Sequence, residues 1–180
     1  MAENDDLARI VAGCQNGDAE CFSVMVDMYG GRCYGYFYRL TGNTELSDEL
    51  LSELFVKLVE KIGSYKGGAF ESWLFKIASN IFHDHLRGKQ RRKKLLDVRR
   101  RELKSKVTEA KRSESDKVDR LQTHLAKLDE GTRDLIMLRF YSQMSLKEIA
   151  KLRSEPIGTT LSRLHRGLKR LREMMGHRAE

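Results

Sequence analysis

The chain has 180 residues, 33% of them charged, a single proline and a formal net charge of +8 at pH 7. That length suits one domain or two small ones, and so few turn residues and apolar alternations argue against a β-sandwich or barrel. The longest aliphatic run, Leu135-Ile136-Met137-Leu138, falls far short of the ~20 apolar residues of a membrane span.

The apolar residues recur with helical period almost throughout. Leu7, Ile10, Val11 and Cys14 mark a first helix ending near Gly17. Phe22, Met25, Val26, Tyr29, Cys33, Tyr36, Phe37 and Leu40 mark a second. Gly30-Gly31 predicts a kink or break in it, since each glycine costs about 1 kcal/mol relative to Ala in a helix interior. Gly42 fits the stop and Asn43 the next N-cap. The third helix has the clearest stripe: Leu46, Leu50, Leu51, Leu54, Phe55, Leu58, Val59 and Ile62. Its other face carries Asp48, Glu49, Ser52, Glu53, Lys57 and Glu60, with acids early, where the helix dipole favours them.

A loop from Ser64 to Ala69 leads to a fourth helix, expected to bury Trp73, Leu74, Ile77, Ala78, Ile81, Phe82 and Leu86. Lys76, Ser79, Asn80, His83, Asp84 and Arg87 form its polar face. From Gly88 to Lys117 the chain is polar and basic and cannot build a core of its own. A domain boundary is therefore placed at about 95–117, as a tether or a helical extension. Beyond it, Val118, Leu121, Leu125 and Leu128 make one stripe, and Leu135, Leu138 and Phe140 belong to the next helix. Ser145 and Glu148 have capping-box spacing, with Met144 and Ile149 as the accompanying hydrophobic staple. A short turn, Arg153-Ser154-Glu155, precedes Pro156, which opens a last helix with the stripe Ile157, Leu161, Leu164, Leu168 and Leu171.

Charge is distributed unevenly. Residues 1–86 hold 7 basic and 13 acidic residues, 87–117 hold 14 and 5, and 118–180 hold 13 and 8. Basic segments favour a polyanionic partner. The start, MAENDDLARIV, is acidic where a secretory signal would be basic, so a cytosolic protein is expected. Cys14, Cys21 and Cys33 fall inside helical patterns and read as small hydrophobes in a reducing compartment.

Two helices joined by a short turn, the second rich in Arg and Lys, read as a helix-turn-helix. The second offers Thr159, Thr160, Ser162, Arg163, His165, Arg166, Lys169, Arg170 and Arg172 beside its leucines. The leucines dock the helix while the opposite face enters a major groove. There Arg bonds a guanine edge in bidentate fashion, and Thr or Ser bonds phosphate. The alternative is an ordinary basic amphipathic helix packed in a bundle. His83 and His85 lie two apart on a helix and face different ways, so no metal site is expected. No nucleophile–base constellation or P-loop is visible, and neither an enzyme nor a cofactor is expected.

These residues carry a resemblance. Leu146-Lys147-Glu148-Ile149-Ala150, Pro156-Ile157-Gly158-Thr159 and Ser162-Arg163-Leu164-His165-Arg166 resemble region 4 of bacterial sigma factors of the extracytoplasmic-function type. Leu128-Asp129-Glu130-Gly131 and Leu138-Arg139-Phe140 sit where that family has its lead-in helices. The front half resembles region 2, in Gly17-Asp18-Ala19 with Phe22, Leu40-Thr41-Gly42-Asn43, Asp48-Glu49-Leu50 through Glu53-Leu54-Phe55, and the stretch from Phe70 to Asn80 with Asp84 and Arg87.

The resemblance implies a promoter-specificity subunit of RNA polymerase. Asp48, Glu49, Ser52, Glu53 and Lys57 would bind the core enzyme. Lys66, Phe70, Phe75, Lys76, Ser79, Asn80, His83 and Arg87 would read and open the minus-ten element, where aromatic faces stack on an unpaired base and an amide bonds its edge. Thr159, Thr160, Ser162, Arg163, Arg166 and Lys169 would read the minus-thirty-five element as duplex. Trp73 fits core better than reader, and the Arg91-Arg92-Lys93-Lys94 run is either solvated or attracts DNA without regard to sequence. The sequence departs from the family at Ser52 (commonly Gln), Ser154 (usually Gly), Glu155 (usually aliphatic) and Thr160 (commonly Val). A buried Glu155 would be costly, so a more open turn is expected.

The expectation is thus an all-α protein of two small helical domains joined by a basic linker, with boundaries 1–94, 95–117 and 118–180. Its expected partners are core RNA polymerase, promoter DNA and an anti-sigma protein, without membrane insertion. A stand-alone helix-turn-helix regulator and a helical adaptor are the rival readings.

Overall fold

A computed structural model of the chain describes residues 2–102 and 120–176, with side chains from 6–93 and 120–176. Within these residues the fold is all helix: α1 (Ala2–Gln15), α2 (Ala19–Thr41), α3 (Thr44–Lys61), a 3-10 turn (Ile62–Ser64), α4 (Phe70–Glu102), α5 (Arg120–Leu125), α6 (Glu130–Tyr141), α7 (Leu146–Leu152) and α8 (Ile157–Met174). No helix among them is long and apolar enough to cross a membrane.

Local chemistry places the helix ends. The Asp18 carboxylate accepts from the backbone N–H groups of Glu20 and Cys21 at the start of α2, and those bonds hold its pKa below the ordinary carboxylate value. Gly42 stops α2 in the left-handed conformation, φ 65°, which glycine adopts without strain. Asn43 Oδ1 accepts from the N–H of Leu46 at 2.8 Å and opens α3. The expected capping box is present: Ser145 Oγ accepts from the N–H of Glu148 at 3.2 Å, and Glu148 Oε2 accepts from the N–H of Ser145 at 2.8 Å. Met144 and Ile149 are both buried beside it.

α2 is the central element of the front half, packed against α1, α3 and α4. It runs unbroken through Gly30-Gly31, contrary to the expected kink. Packing on three sides outweighs the propensity cost of two glycines. α3 buries Leu50, Leu54 and Leu58, followed by Ile62. Val59, expected on that stripe, is 56% exposed. α4 buries Leu74, Ile77, Ala78, Ile81 and Phe82, with Trp73 and Leu86 half-buried. It continues as helix to Glu102, so the start of the expected linker is helical. The rest of the linker, with Leu103, Val107 and Ala110, lies outside the described residues, as does Val118.

In the back half, α6 buries Thr132, Asp134, Leu135, Ile136, Met137 and Leu138, covering most of its circumference. A helix enclosed this far has neighbours on several sides. It packs on α7 and α8 within its own half and on α2 and α4 of the front half. Phe140, assigned from the sequence to this helix with Leu135 and Leu138, is 65% exposed. The stripe of α8 is also rotated from the expected one. Ile157 and Leu161 are exposed, whereas Thr160, Leu164 and Gly167 are buried. Gly167 decides the face: a Cβ there would lie 2.4 Å from Thr132 Cγ2 and 3.1 Å from Ile136 Cδ1, so only glycine allows so close an approach to α6.

Candidate nucleic-acid interface

The acidic face of α3 is fully presented. Asp48, Glu49, Ser52 and Glu53 are exposed, and Lys57 is half-exposed. Lys57 Nζ bonds Glu60 Oε2 at 2.8 Å, which raises the lysine pKa. Ser52 Oγ donates to the Asp48 carbonyl at 2.9 Å. Val56 and Val59 stand exposed on the same helix, as do Val24, Val26 and Met28 on neighbouring α2. The sequence reading missed this apolar component, although Val56 already lay outside the stripe it defined.

The expected minus-ten residues divide into two groups. Lys66, Lys76, Asn80 and Arg87 are exposed. Lys66 precedes Gly67 and Gly68, which adopt φ of 97° and 99°. Gln15, which sequence reasoning passed over, braces this loop by donating to the carbonyls of Ile62 at 3.0 Å and Tyr65 at 2.9 Å. The Tyr65 hydroxyl donates to the Gly68 carbonyl at 2.7 Å. Arg87 pairs with Asp84 one turn back.

Phe70, Phe75 and Ser79 are buried instead, against expectation. Phe70 sits among Tyr29, Tyr65 and Trp73, with ring centroids 5.4–5.6 Å apart. Phe75 meets the edge of Tyr36 at 5.4 Å, and the Arg32 guanidinium stands 5.6 Å from its ring centre. Arg32 is itself fixed by both Glu71 oxygens, at 2.6 and 3.1 Å. These two rings occupy the hydrophobic side of α4, where burial outweighs any benefit of presenting them to solvent. Ser79 hydrogen-bonds the Tyr36 hydroxyl. His83 is half-buried, its Nε2 lying 3.0 Å from Asp134 Oδ2 of α6.

On α8, Thr159, Ser162, Arg166 and Lys169 are exposed and share one open side. Thr160 is buried, and its hydroxyl donates to Glu155 Oε1 at 3.0 Å. It therefore packs rather than reads. Arg163 is half-buried and donates to Glu155 Oε2 at 2.8 Å. The turn before α8 is not opened by Glu155, as had been expected. Its side chain is only 14% exposed, but Arg153 Nε, Arg163 and Thr160 all bond it. Paired and hydrogen-bonded, the largely covered carboxylate escapes the penalty it would meet alone. Ser154 takes the left-handed conformation there, φ 53°, where glycine is the easier residue.

Arg153 joins this turn to the centre of the molecule. Its Nη1 donates to Asp134 Oδ2 at 2.7 Å, and Asp134 is fully buried. The Tyr36 hydroxyl donates to Asp134 Oδ1 at 2.7 Å. Burial and the neighbouring carboxylate push the tyrosine pKa well above its ordinary value, so it remains a donor. Asp134 lies four residues before Leu138, on the apolar side of α6, and an acid in that position was a signal the sequence already held.

This arrangement of one acidic helix and two separate polar faces has counterparts. Residues 25–92 match the model of Sigma-70 region 2, and residues 124–173 match Sigma-70, region 4. The chain belongs to the sigma-70 family. Its region 2 runs from Met25 in α2 to Arg92 in α4, and its region 4 from His124 in α5 to Glu173 in α8. It is similar to the ECF RNA polymerase sigma factor SigW of Bacillus subtilis, at 28% identity covering 89% of this chain and 92% of SigW. The ECF RNA polymerase sigma-E factor of Haemophilus influenzae is 27% identical, covering 100% of this chain and 98% of that one. In fold it resembles the sigma factor RpoE from Bartonella quintana, solved in complex with the anti-sigma factor NepR. That likeness has a TM-score of 0.68 at 22% identity and covers 86% of this chain and 96% of RpoE. The protein is accordingly a sigma factor of RNA polymerase, and the rival readings as a stand-alone regulator or adaptor are not favoured.

Proposed function

We propose that this sigma factor directs core RNA polymerase to specific promoters and helps open the minus-ten region, with the work divided among three surfaces. The α3 face of Asp48, Glu49, Ser52 and Glu53 binds the core enzyme, with Lys57 at its edge. Lys66, Lys76, Asn80 and Arg87 attract and read the minus-ten strand, joined by Ser79 and His83 once these are uncovered. Thr159, Ser162, Arg163, Arg166 and Lys169 read the minus-thirty-five duplex. The protein performs no covalent chemistry. Contacts to unpaired bases offset an unpairing cost of a few kcal/mol.

The observation that carries this reading is the side of α8 opposite Leu164 and Gly167, where Ser162, Arg166 and Lys169 stand exposed at the spacing of successive helical turns. A helix so placed after a short turn presents its polar side to a major groove. The protein works in the cytoplasm with the polymerase, and an anti-sigma protein is a further partner, as RpoE has in NepR.

Run-off transcription tests the proposal. Purified core enzyme with this chain, supplied with a random promoter library, is expected to yield transcripts enriched in two sequence elements. Transcripts no different from those of core enzyme alone would refute it.

A further inference from the structure

The loop that leads into α4 is held from α1. Gln15 is the last residue of α1. The end of that helix is fixed by two backbone bonds, from the Gly17 N–H to the Cys14 carbonyl and from the Asp18 N–H to the Gly13 carbonyl, both at 3.0 Å. From this platform Gln15 Nε2 donates to the carbonyls of Ile62 at 3.0 Å and Tyr65 at 2.9 Å. A side-chain amide nitrogen carries two hydrogens, so both serve this loop. Leu7 and Val11 line the same cleft as Tyr65 and Lys66, so α1 lies along the loop.

The other restraints on the loop act at its two ends. The Tyr65 N–H donates to the Ile62 carbonyl at 3.1 Å. The Tyr65 ring lies 5.4 Å from those of Phe70 and Trp73, and its hydroxyl donates to the Gly68 carbonyl at 2.7 Å. These contacts fix the amide and ring of Tyr65 and the carbonyl of Gly68, but not the peptide between Tyr65 and Lys66. Beyond that peptide, Gly67 and Gly68, at φ of 97° and 99°, accept many backbone conformations. The Gln15 bond to the Tyr65 carbonyl supplies the missing restraint. A trans peptide is a rigid plane, so holding its carbonyl toward α1 sets the direction in which the chain enters Lys66.

We propose that Gln15 is a positioning residue for promoter opening: it fixes the Tyr65–Lys66 peptide and so presents Lys66 to the unpaired minus-ten strand. The proposal rests on the reading of Lys66 as a minus-ten residue. Gln15 acts through Lys66 and makes no contact with DNA itself. What it contributes is preorganisation. Glycine loses more conformational freedom on ordering than any other residue, and this loop has two in succession. A loop ordered in the free protein does not meet that cost at the moment of binding. Gln15 is exposed, so its side chain can be changed without opening the core.

Two full-length variants test this. Gln15→Met keeps the length and helix propensity of the side chain and removes both donors. Gln15→Glu keeps the shape but turns an acceptor toward two carbonyls. Holoenzyme assembled from core polymerase and each variant is supplied with a random promoter library. The yield of promoter-specific transcript is expected to fall roughly three- to tenfold. Base preference in the minus-ten element should weaken, while preference in the minus-thirty-five element, affinity for core enzyme and the thermal midpoint stay as in wild type. A double-mutant cycle with Lys66→Ala on the best-transcribed promoter of that library separates positioning from a general structural role. With Lys66 already removed, Gln15→Met should lower the yield by less than about twofold.

Nuclear magnetic resonance of the free chain supplies a measurement independent of DNA. Backbone order parameters at Lys66, Gly67 and Gly68 are expected near the rigid value of about 0.85 in wild type and below about 0.6 in Gln15→Met. Order parameters unchanged in both variants would overturn the brace, and losses that add in the cycle would overturn action through Lys66. A deficit in Lys66→Ala without one in Gln15→Met would overturn the proposal alone. If Lys66→Ala itself leaves promoter-specific transcription unchanged, the minus-ten reading of Lys66 fails and the proposal falls with it.

Discussion

On α4, Ser79 is buried against the Tyr36 hydroxyl, and His83 is half-covered and held by Asp134. On α8, Thr159, Ser162, Arg166 and Lys169 face solvent, with no other helix across them among the described residues. Both helices are amphipathic, and both were expected to turn a polar face to DNA. They differ because α4 has a neighbour on part of its polar side, whereas the polar side of α8 points away from α6 and α7. The lesson is that a polar residue on a helix is available only if no other element needs it as a partner. Asp134, a buried acid, recruits its donors from the nearest polar groups.

The strongest way to break this contrast is Asp134→Ala. It removes the acceptor of the Tyr36 hydroxyl and one of the two carboxylates on Arg153, which keeps Glu155, and should cost about 3 kcal/mol of stability, the low end for losing one member of a buried pair. Denaturant unfolding followed by circular dichroism would measure it. Gly167→Ala acts on α8 alone by forcing it off Thr132 and Ile136. A loss of up to ~3 kcal/mol is expected, together with loss of duplex binding, while the α3 face keeps its affinity for core enzyme.

Arg166→Ala sharpens the comparison by removing an exposed reader. It should weaken binding to the cognate duplex by about 2 kcal/mol if Arg166 makes a base contact. Arg163→Ala should cost less, since Glu155 already holds that guanidinium; a mobility-shift titration distinguishes the two. Charge reversal of Glu49 and Glu53 to Lys tests the third surface, where an approximately tenfold loss of affinity for core polymerase, about 1.4 kcal/mol, is expected with helicity unchanged.

The smallest effect concerns pH. Ser145 bonds hold the Glu148 pKa low. At Asp129, burial works in the opposite direction, but the Thr132 bonds leave that pKa lowered as well. A carboxylate with a depressed folded pKa adds stability above its unfolded value of roughly 4 and loses it as pH falls through the folded value. Thermal stability should therefore be flat from neutral pH to about 5 and decline below about 4. Ser145→Ala should lower stability by about 1 kcal/mol and shrink the Glu148 share of that decline.

Features written in a few consecutive residues are legible in the chain alone. Gly42 with Asn43, and Ser145 with Glu148, act through bonds to backbone within one turn, so their spacing is their geometry. The exposed acids of α3 are legible for a similar reason, as they lie opposite a leucine stripe long enough to fix the buried side. The face of α8 is easily misread because its leucines imply one stripe, while Gly167, which carries no apolar side chain, sets the closest contact. Glu155 misleads in the same way when its charge is weighed alone, without Arg153 and Arg163 on either side of the turn.

The sequence by itself determined the helices, their caps, the acidic and basic surfaces and the family, since periodicity, short-range hydrogen bonding and motif spacing are properties of neighbouring residues. Only the tertiary structure decided that α2 stays unbroken through Gly30-Gly31, that Phe75 and Ser79 are covered, and that Tyr36, His83, Asp134 and Arg153 converge. Those outcomes depend on which helix lies against which. A buried charge can gather partners from positions up to 98 residues away in the chain, as Tyr36 is from Asp134, and no local pattern records that separation.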